Sequence, residues 1–131
     1  MKQIIFLSLI IFSFSLSAQF LTPDVDSIPT QDGEMLAADV YVPDTTGGKT
    51  YPTILIHTPY NRQFYRWSLP LVGIDLANSP FAFVVVDWRC FYGSAAACAG
   101  NYDRGIDGYD AVEWIAAKPW SDGQVGTWGP S

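Results

Sequence analysis

Gly129-Pro130-Ser131 is the segment of this sequence best suited to nucleophilic chemistry. It follows Gln124 to Trp128, which reads as a strand, and a strand ending in Gly-x-Ser is the first half of a G-x-S-x-G nucleophile elbow. The elbow needs a sharp strand-to-helix turn so that the serine hydroxyl stands clear of the sheet. Glycine ahead of it removes a side chain that would collide with neighbouring backbone. Taken alone the triplet is common, and an ordinary turn serine is the alternative. His57 is the only histidine and the obvious candidate base. Enzymes built on this elbow order their triad as serine, then acid, then histidine along the chain, and His57 precedes Ser131. It is therefore read as a packing or hydrogen-bonding residue at a strand end. Cys90 and Cys98 have no histidine nearby in sequence and do not read as nucleophiles. Two cysteines and one distant histidine make no four-ligand zinc set. The sequence calls for no metal and no cofactor.

The elements that must position Ser131 follow from apolar periodicity. Phe20 to Pro29, with Val25 and Ile28, reads as a short strand, and Gln31-Asp32-Gly33 as a turn. Glu34 to Val42 alternates, with Leu36, Ala38, Val40 and Val42 on one face, so an antiparallel hairpin opens the domain. Pro52 to His57 and Phe81 to Val86 are short apolar runs rich in β-branched residues, as strands buried on both faces are. A helix is expected between them, capped at Ser68 or Leu69, with Pro70 in its first turn and Asn78 as its stop. A second helix is expected from Arg104 to Lys118. Asp103 is its N-cap, and Ile106, Tyr109, Val112 and Ala116 form its apolar stripe. Asp107, Asp110 and Glu113 read as its solvated face. Hairpin, strand, helix, strand, helix, strand is an α/β order that implies crossovers and a parallel sheet. Ligands in such sheets sit beyond the carboxyl ends of the strands, where the segments after His57 and Asp87 and the turn at Ser131 converge.

A formal net charge of −6 argues against a nucleic-acid partner, which needs a basic face, and against docking on anionic lipid. Lys2, the apolar run from Ile4 to Leu16 and the small residues Ser17 and Ala18 read as a secretory signal peptide over residues 1–18, cut near Ala18. The alternative, a membrane anchor, needs about 20 apolar residues, more than this run has. The mature chain, 19–131, is then secreted or periplasmic, with no membrane contact after cleavage. Export to an oxidising compartment favours a Cys90–Cys98 disulfide, contributing about 2.5 kcal/mol in the chain-entropy model. Two unpaired buried thiols are the alternative.

A wider pattern runs through the mature chain: Ser27 to Gly33, Leu36 to Tyr41, His57-Thr58-Pro59-Tyr60, Val86-Asp87-Trp88-Arg89, Asp107 to Ile115, Lys118 to Ser121 and Val125 to Ser131. This ordered set resembles the start of the X-prolyl dipeptidyl-peptidase and cocaine-esterase-like (CocE/NonD) serine hydrolase family. The resemblance implies an α/β-hydrolase fold, with 19–131 as an incomplete catalytic domain ending at the elbow. It makes Ser131 the nucleophile and Tyr60 the oxyanion-hole tyrosine. Unaided by the resemblance, Tyr60 would read as a half-buried loop aromatic, although Pro59 does direct it outward from a strand end. Asp87 and Arg89 match the family's Asp-x-Arg and read as a structural pair.

The sequence departs from the family where Cys90 stands in place of the usual glycine and an Ala-rich stretch replaces an acidic, glycine-containing loop. The second oxyanion donor, the triad acid and the base are expected beyond Ser131, so these 131 residues alone should have no hydrolase activity. Small acyl esters, amides or peptides, X-Pro peptides among them, are the implied substrates; no oligomeric state is implied. The rival reading is a non-catalytic secreted binding module that keeps the hydrolase sheet.

Overall fold

The computed structural model describes residues 21–99 and 102–129. The expected signal peptide, Pro130 and Ser131 lie outside the described residues. The opening hairpin pairs β1 (Asp24–Pro29) with β2 (Met35–Tyr41) through a turn at Gly33, whose φ of +86° suits glycine. The Gly33 amide donates to the Thr30 carbonyl at 2.9 Å. β3 (Tyr51–Thr58), β4 (Ala82–Asp87) and β5 (Ser121–Thr127) follow, joined by α1 (Tyr65–Leu71) and α2 (Arg104–Ala116). The sheet order is β1-β2-β4-β3-β5. β2 runs antiparallel to β4, whereas β3 is parallel to both β4 and β5. This is the expected α/β plan: an antiparallel lead-in, then parallel strands joined by crossovers.

The strand order places the two helices on opposite faces. α1 carries the chain from β3 to its neighbour β4, and α2 carries it back past β3 to β5. With right-handed crossovers, reversing the direction switches the face. Both faces of the central strands are therefore buried, and the period of two sorts their side chains. Val84, Val86 and Leu55 pack with Ala111 and Ile115 of α2. Phe83, Val85 and Ile56 pack with Tyr65 and Leu69 of α1. Burying each such side chain contributes on the order of 1.5–3 kcal/mol.

The helices depart from expectation in two ways. α1 ends near where the sequence suggested it would begin, with Pro70 in its last turn. The Asn61 carboxamide accepts from the Gln63 amide at 3.0 Å and starts a 3-10 turn over Arg62–Phe64 that leads into α1. Gly73, at φ +89°, stops the helix, and its amide donates to the Pro70 carbonyl at 3.0 Å. Asn78 belongs to a separate turn held by the Asp75 carboxylate.

The start of α2 and its Asp103 cap match expectation, the cap accepting from the Gly105 amide at 2.6 Å, while the helix ends at Ala116, two residues short of the expected Lys118. Its buried face does not: Asp107, Asp110, Ala111 and Ile115 point inward, while Ile106 and Tyr109 are exposed. Asp107 and Asp110 thus lie on the buried face, and Glu113 alone of the three is exposed. An apolar-stripe argument misses this because long-range polar partners decide which side of the helix turns inward.

Candidate active site

Three strands end on one rim of the sheet. The Trp88 amide donates to the Thr58 carbonyl at 2.9 Å and the Trp128 amide to the Leu55 carbonyl at 3.0 Å. The segments after β3, β4 and β5 therefore leave from neighbouring points on the carboxyl edge, where a parallel sheet binds its ligands. Tyr60 stands there, 58% exposed. Thr58 Oγ1 accepts from the Tyr60 amide at 3.0 Å, turning the chain off the strand. Gly129 follows Trp128 on the same edge. Ser131 itself lies outside the described residues.

His57 is half-buried within β3, opposite Val86. By strand alternation its side chain lies on the α2 face. Its buried Nε2 has no hydrogen-bond partner among the described residues. Burial pushes its pKa down to about 4, outweighing the Asp107 carboxylate, which acts to raise it. The imidazole is thus neutral at neutral pH, half-buried on the α2 face of the sheet.

Asp87 and Arg89 do not pair with each other as expected; each anchors a separate buried network. Asp87 accepts from the Arg62 amide (2.7 Å), Arg62 Nη1 (2.7 Å) and the Gly93 amide (3.0 Å). Arg62 Nε donates to Asp39 at 3.0 Å, and Arg66 Nε to the other Asp39 oxygen at 2.7 Å. Asp39 holds the Arg66 guanidinium above its ordinary pKa. Ser94 Oγ donates to the Asp87 carbonyl and accepts from the Ala37 amide, both at 2.9 Å. Asp39, Arg62 and Arg66 were not singled out from sequence. The signal available was a charged residue inside an alternating strand, since a buried aspartate requires a cationic partner.

Arg89, 2% exposed, donates to Asp107 through Nε (3.0 Å) and Nη2 (2.6 Å) and to Asp32 through Nη1 (2.7 Å) and Nη2 (3.0 Å). One guanidinium so ties the β4 loop to α2 and to the hairpin turn. Its charge and hydrogen bonds hold the Asp32 carboxyl well below the usual carboxylate range. Asp110 adds a second tie, accepting from the Gln31 amide (2.8 Å) and Gln31 Nε2 (2.7 Å). The expected Cys90–Cys98 disulfide closes the loop after β4. Cys90 has a φ of +73°, the backbone region glycine favours, which explains the family's glycine at this position. Arg104 stacks over Trp88 at 4.1 Å and braces the same loop.

Known proteins share this sequence and architecture. The chain is 31% identical over 106 residues to cocaine esterase from Rhodococcus sp. (strain MB1 Bresler), covering 79% of this chain and 18% of that protein. The fold matches an aminopeptidase from the marine sediment archaeon Thaumarchaeota archaeon (TM-score 0.61, 24% identity, 82% of this chain and 21% of that one). It also matches a selenomethionine-labelled α-amino acid ester hydrolase (TM-score 0.59, 23% identity, 81% and 20%). The chain thus spans about a fifth of the length of these relatives. Since the family model described as X-Pro dipeptidyl-peptidase (S15 family) matches residues 32–131, the chain belongs to that family.

Proposed function

We propose that residues 19–131 are the N-terminal part of the catalytic domain of an exported serine hydrolase, with Ser131 as nucleophile and Tyr60 as oxyanion donor. The observation that carries this reading is the shared rim: β3 and β5 are adjacent and parallel, and the Tyr60 turn and the Gly129 turn leave the same edge. Ser131 Oγ attacks the acyl carbon of an ester or amide as its proton passes to a base. The Tyr60 hydroxyl donates to the oxygen that gains negative charge. The bond to the leaving alcohol or amine breaks, and water then releases the acyl group from the serine. The only histidine of these 131 residues is half-buried on the α2 face and is not assigned as the base, so these residues alone are proposed to be inactive. Similarity to a cocaine esterase and membership of the X-Pro dipeptidyl-peptidase family support small acyl esters, amides and peptides, X-Pro peptides among them, as the proposed substrates.

The test uses the full-length polypeptide. A fluorophosphonate probe is expected to label Ser131, and Ser131→Ala to abolish labelling. Tyr60→Phe should lower kcat on p-nitrophenyl acetate about 100- to 1,000-fold with little change in KM. Labelling that survives Ser131→Ala, or full activity in Tyr60→Phe, overturns the respective assignment. N-terminal sequencing of the exported protein tests cleavage after Ala18.

A further inference from the structure

We infer that Arg62, held by Asp39 and Asp87, and Thr58 are positioning residues that together fix the backbone of Tyr60; the inference rests on the role proposed above for Tyr60. Tyr60 itself is 58% exposed. Its backbone is held from both sides. On the β3 side, Thr58 Oγ1 accepts from the Tyr60 amide at 3.0 Å, and the Tyr65 hydroxyl reaches the same oxygen at 3.4 Å. On the other side, Arg62 is 8% exposed, and its amide and guanidinium both donate to the one Asp87 carboxylate at 2.7 Å. Between these fixed points Asn61 has φ +73° and ψ 111°, a conformation that L residues adopt reluctantly. Such a conformation persists where its surroundings over-determine it.

The chemistry of the clamp favours a geometric role. Asp39 and Asp87 are fully buried, and Arg62 bonds both. Buried ion pairs are weak devices for stability, because desolvation offsets their attraction. They do set direction: a planar fork bonded to two carboxylates holds the atoms it carries in one orientation. Asp87 ends β4 and Asp39 lies within β2, so Arg62 references Tyr60 to the rigid centre of the sheet. Displacing a reacting-site group by about 1 Å costs on the order of 100-fold in rate.

The experiment is a double-mutant cycle in the full-length enzyme, read by kcat and KM on p-nitrophenyl acetate. It is paired with the 19F resonance of 3-fluorotyrosine placed at position 60. Arg62→Lys keeps the charge and loses the fork. It should lower kcat about 10- to 100-fold, leave KM within about 3-fold, and shift or split the fluorine signal. In a Tyr60→Phe background the same change should cost less than about 3-fold in kcat, because its route of action is gone. Thr58→Val should behave as a milder Arg62→Lys, and Thr58→Ser should restore both readouts. If Arg62→Lys does not fold, Thr58→Val carries the cycle. An unmoved fluorine signal, or equal losses in both backgrounds, overturns the inference. If the unsubstituted enzyme neither hydrolyses ester nor takes the fluorophosphonate, the hydrolase reading fails; the fluorine signal still decides whether the clamp positions Tyr60.

Discussion

His57 shows at the residue scale how the sheet sets proton affinity. The native imidazole titrates at about 4, against 6.5 for the ordinary group. Between those values the unfolded chain binds a proton that the native state refuses. The contribution of neutral His57 is therefore complete above pH 6.5 and is lost as pH falls from 6.5 toward 4. The full loss is on the order of 3 kcal/mol. Urea midpoints at pH 7.5 and 4.5 should differ more for the unsubstituted protein than for His57→Leu, which has no imidazole to protonate. Equal differences would mean that His57 is hydrated and titrates normally. Asp32 has the opposite charge type and the same sign of effect. Its depressed carboxyl pKa contributes stability above the unfolded value that disappears in stronger acid, in both proteins alike.

Among the elements, the loop from Trp88 to Ala99 is held by specific contacts. Gly93 lies where a Cβ would overlap the Arg62 guanidinium and stand 2.7 Å from the Ala37 Cβ. Arg62 cannot swing away without leaving Asp39 and Asp87, so the clash falls on a fixed group. Gly93→Ala is expected to cost about 2 kcal/mol, typical of overpacking, read as a lower urea midpoint at unchanged m-value. A variant as stable as the parent would show that the loop can move away from β2. Such freedom would also weaken the case for a rigid Tyr60, since the Gly93 amide donates to the same Asp87 oxygen as Arg62 Nη1.

On the scale of the whole molecule, polar ties join parts that the apolar cores do not. Arg89 connects hairpin, β4 loop and α2, and Asp110 repeats the hairpin-to-α2 tie. The Cys90–Cys98 bridge closes the loop that delivers Arg89's neighbours, including the Ala97 carbonyl that accepts from Arg89 Nη1 at 3.3 Å. Replacing both cysteines by serine should lower stability by about 2.5 kcal/mol through loop-closure entropy. The check compares thermal midpoints of the oxidised protein, the protein under reductant, and the double variant. No change under reductant would mean the polar ties suffice to hold the loop. Along β5, Ile54, Ile74, Phe83 and Trp128 line an apolar cavity of about 560 Å³ on the α1 side, apart from Tyr60.

The strands, their order along the chain and the start of α2 were legible because they depend on local rules. Alternation marked β2, unbroken β-branched runs marked β3 and β4, and Asp103 marked the start of α2. Resemblance is the ground for proposing Tyr60 and Ser131 as site residues, and the expectation of export together with two cysteines pointed to the disulfide, which the structure contains. Long-range polar pairing was not legible. Asp107 and Asp110 read as solvated carboxylates, and Asp39 is not singled out, until the fold brings Arg89, Gln31 and Arg62 to them from 18, 79 and 23 residues away. The start of α1 was hidden for a related reason: it depends on the left-handed Asn61, which the Arg62 clamp holds. Apolar burial follows a period that a short window contains, whereas a buried charge requires a partner, and only the tertiary structure decides which distant residue meets it.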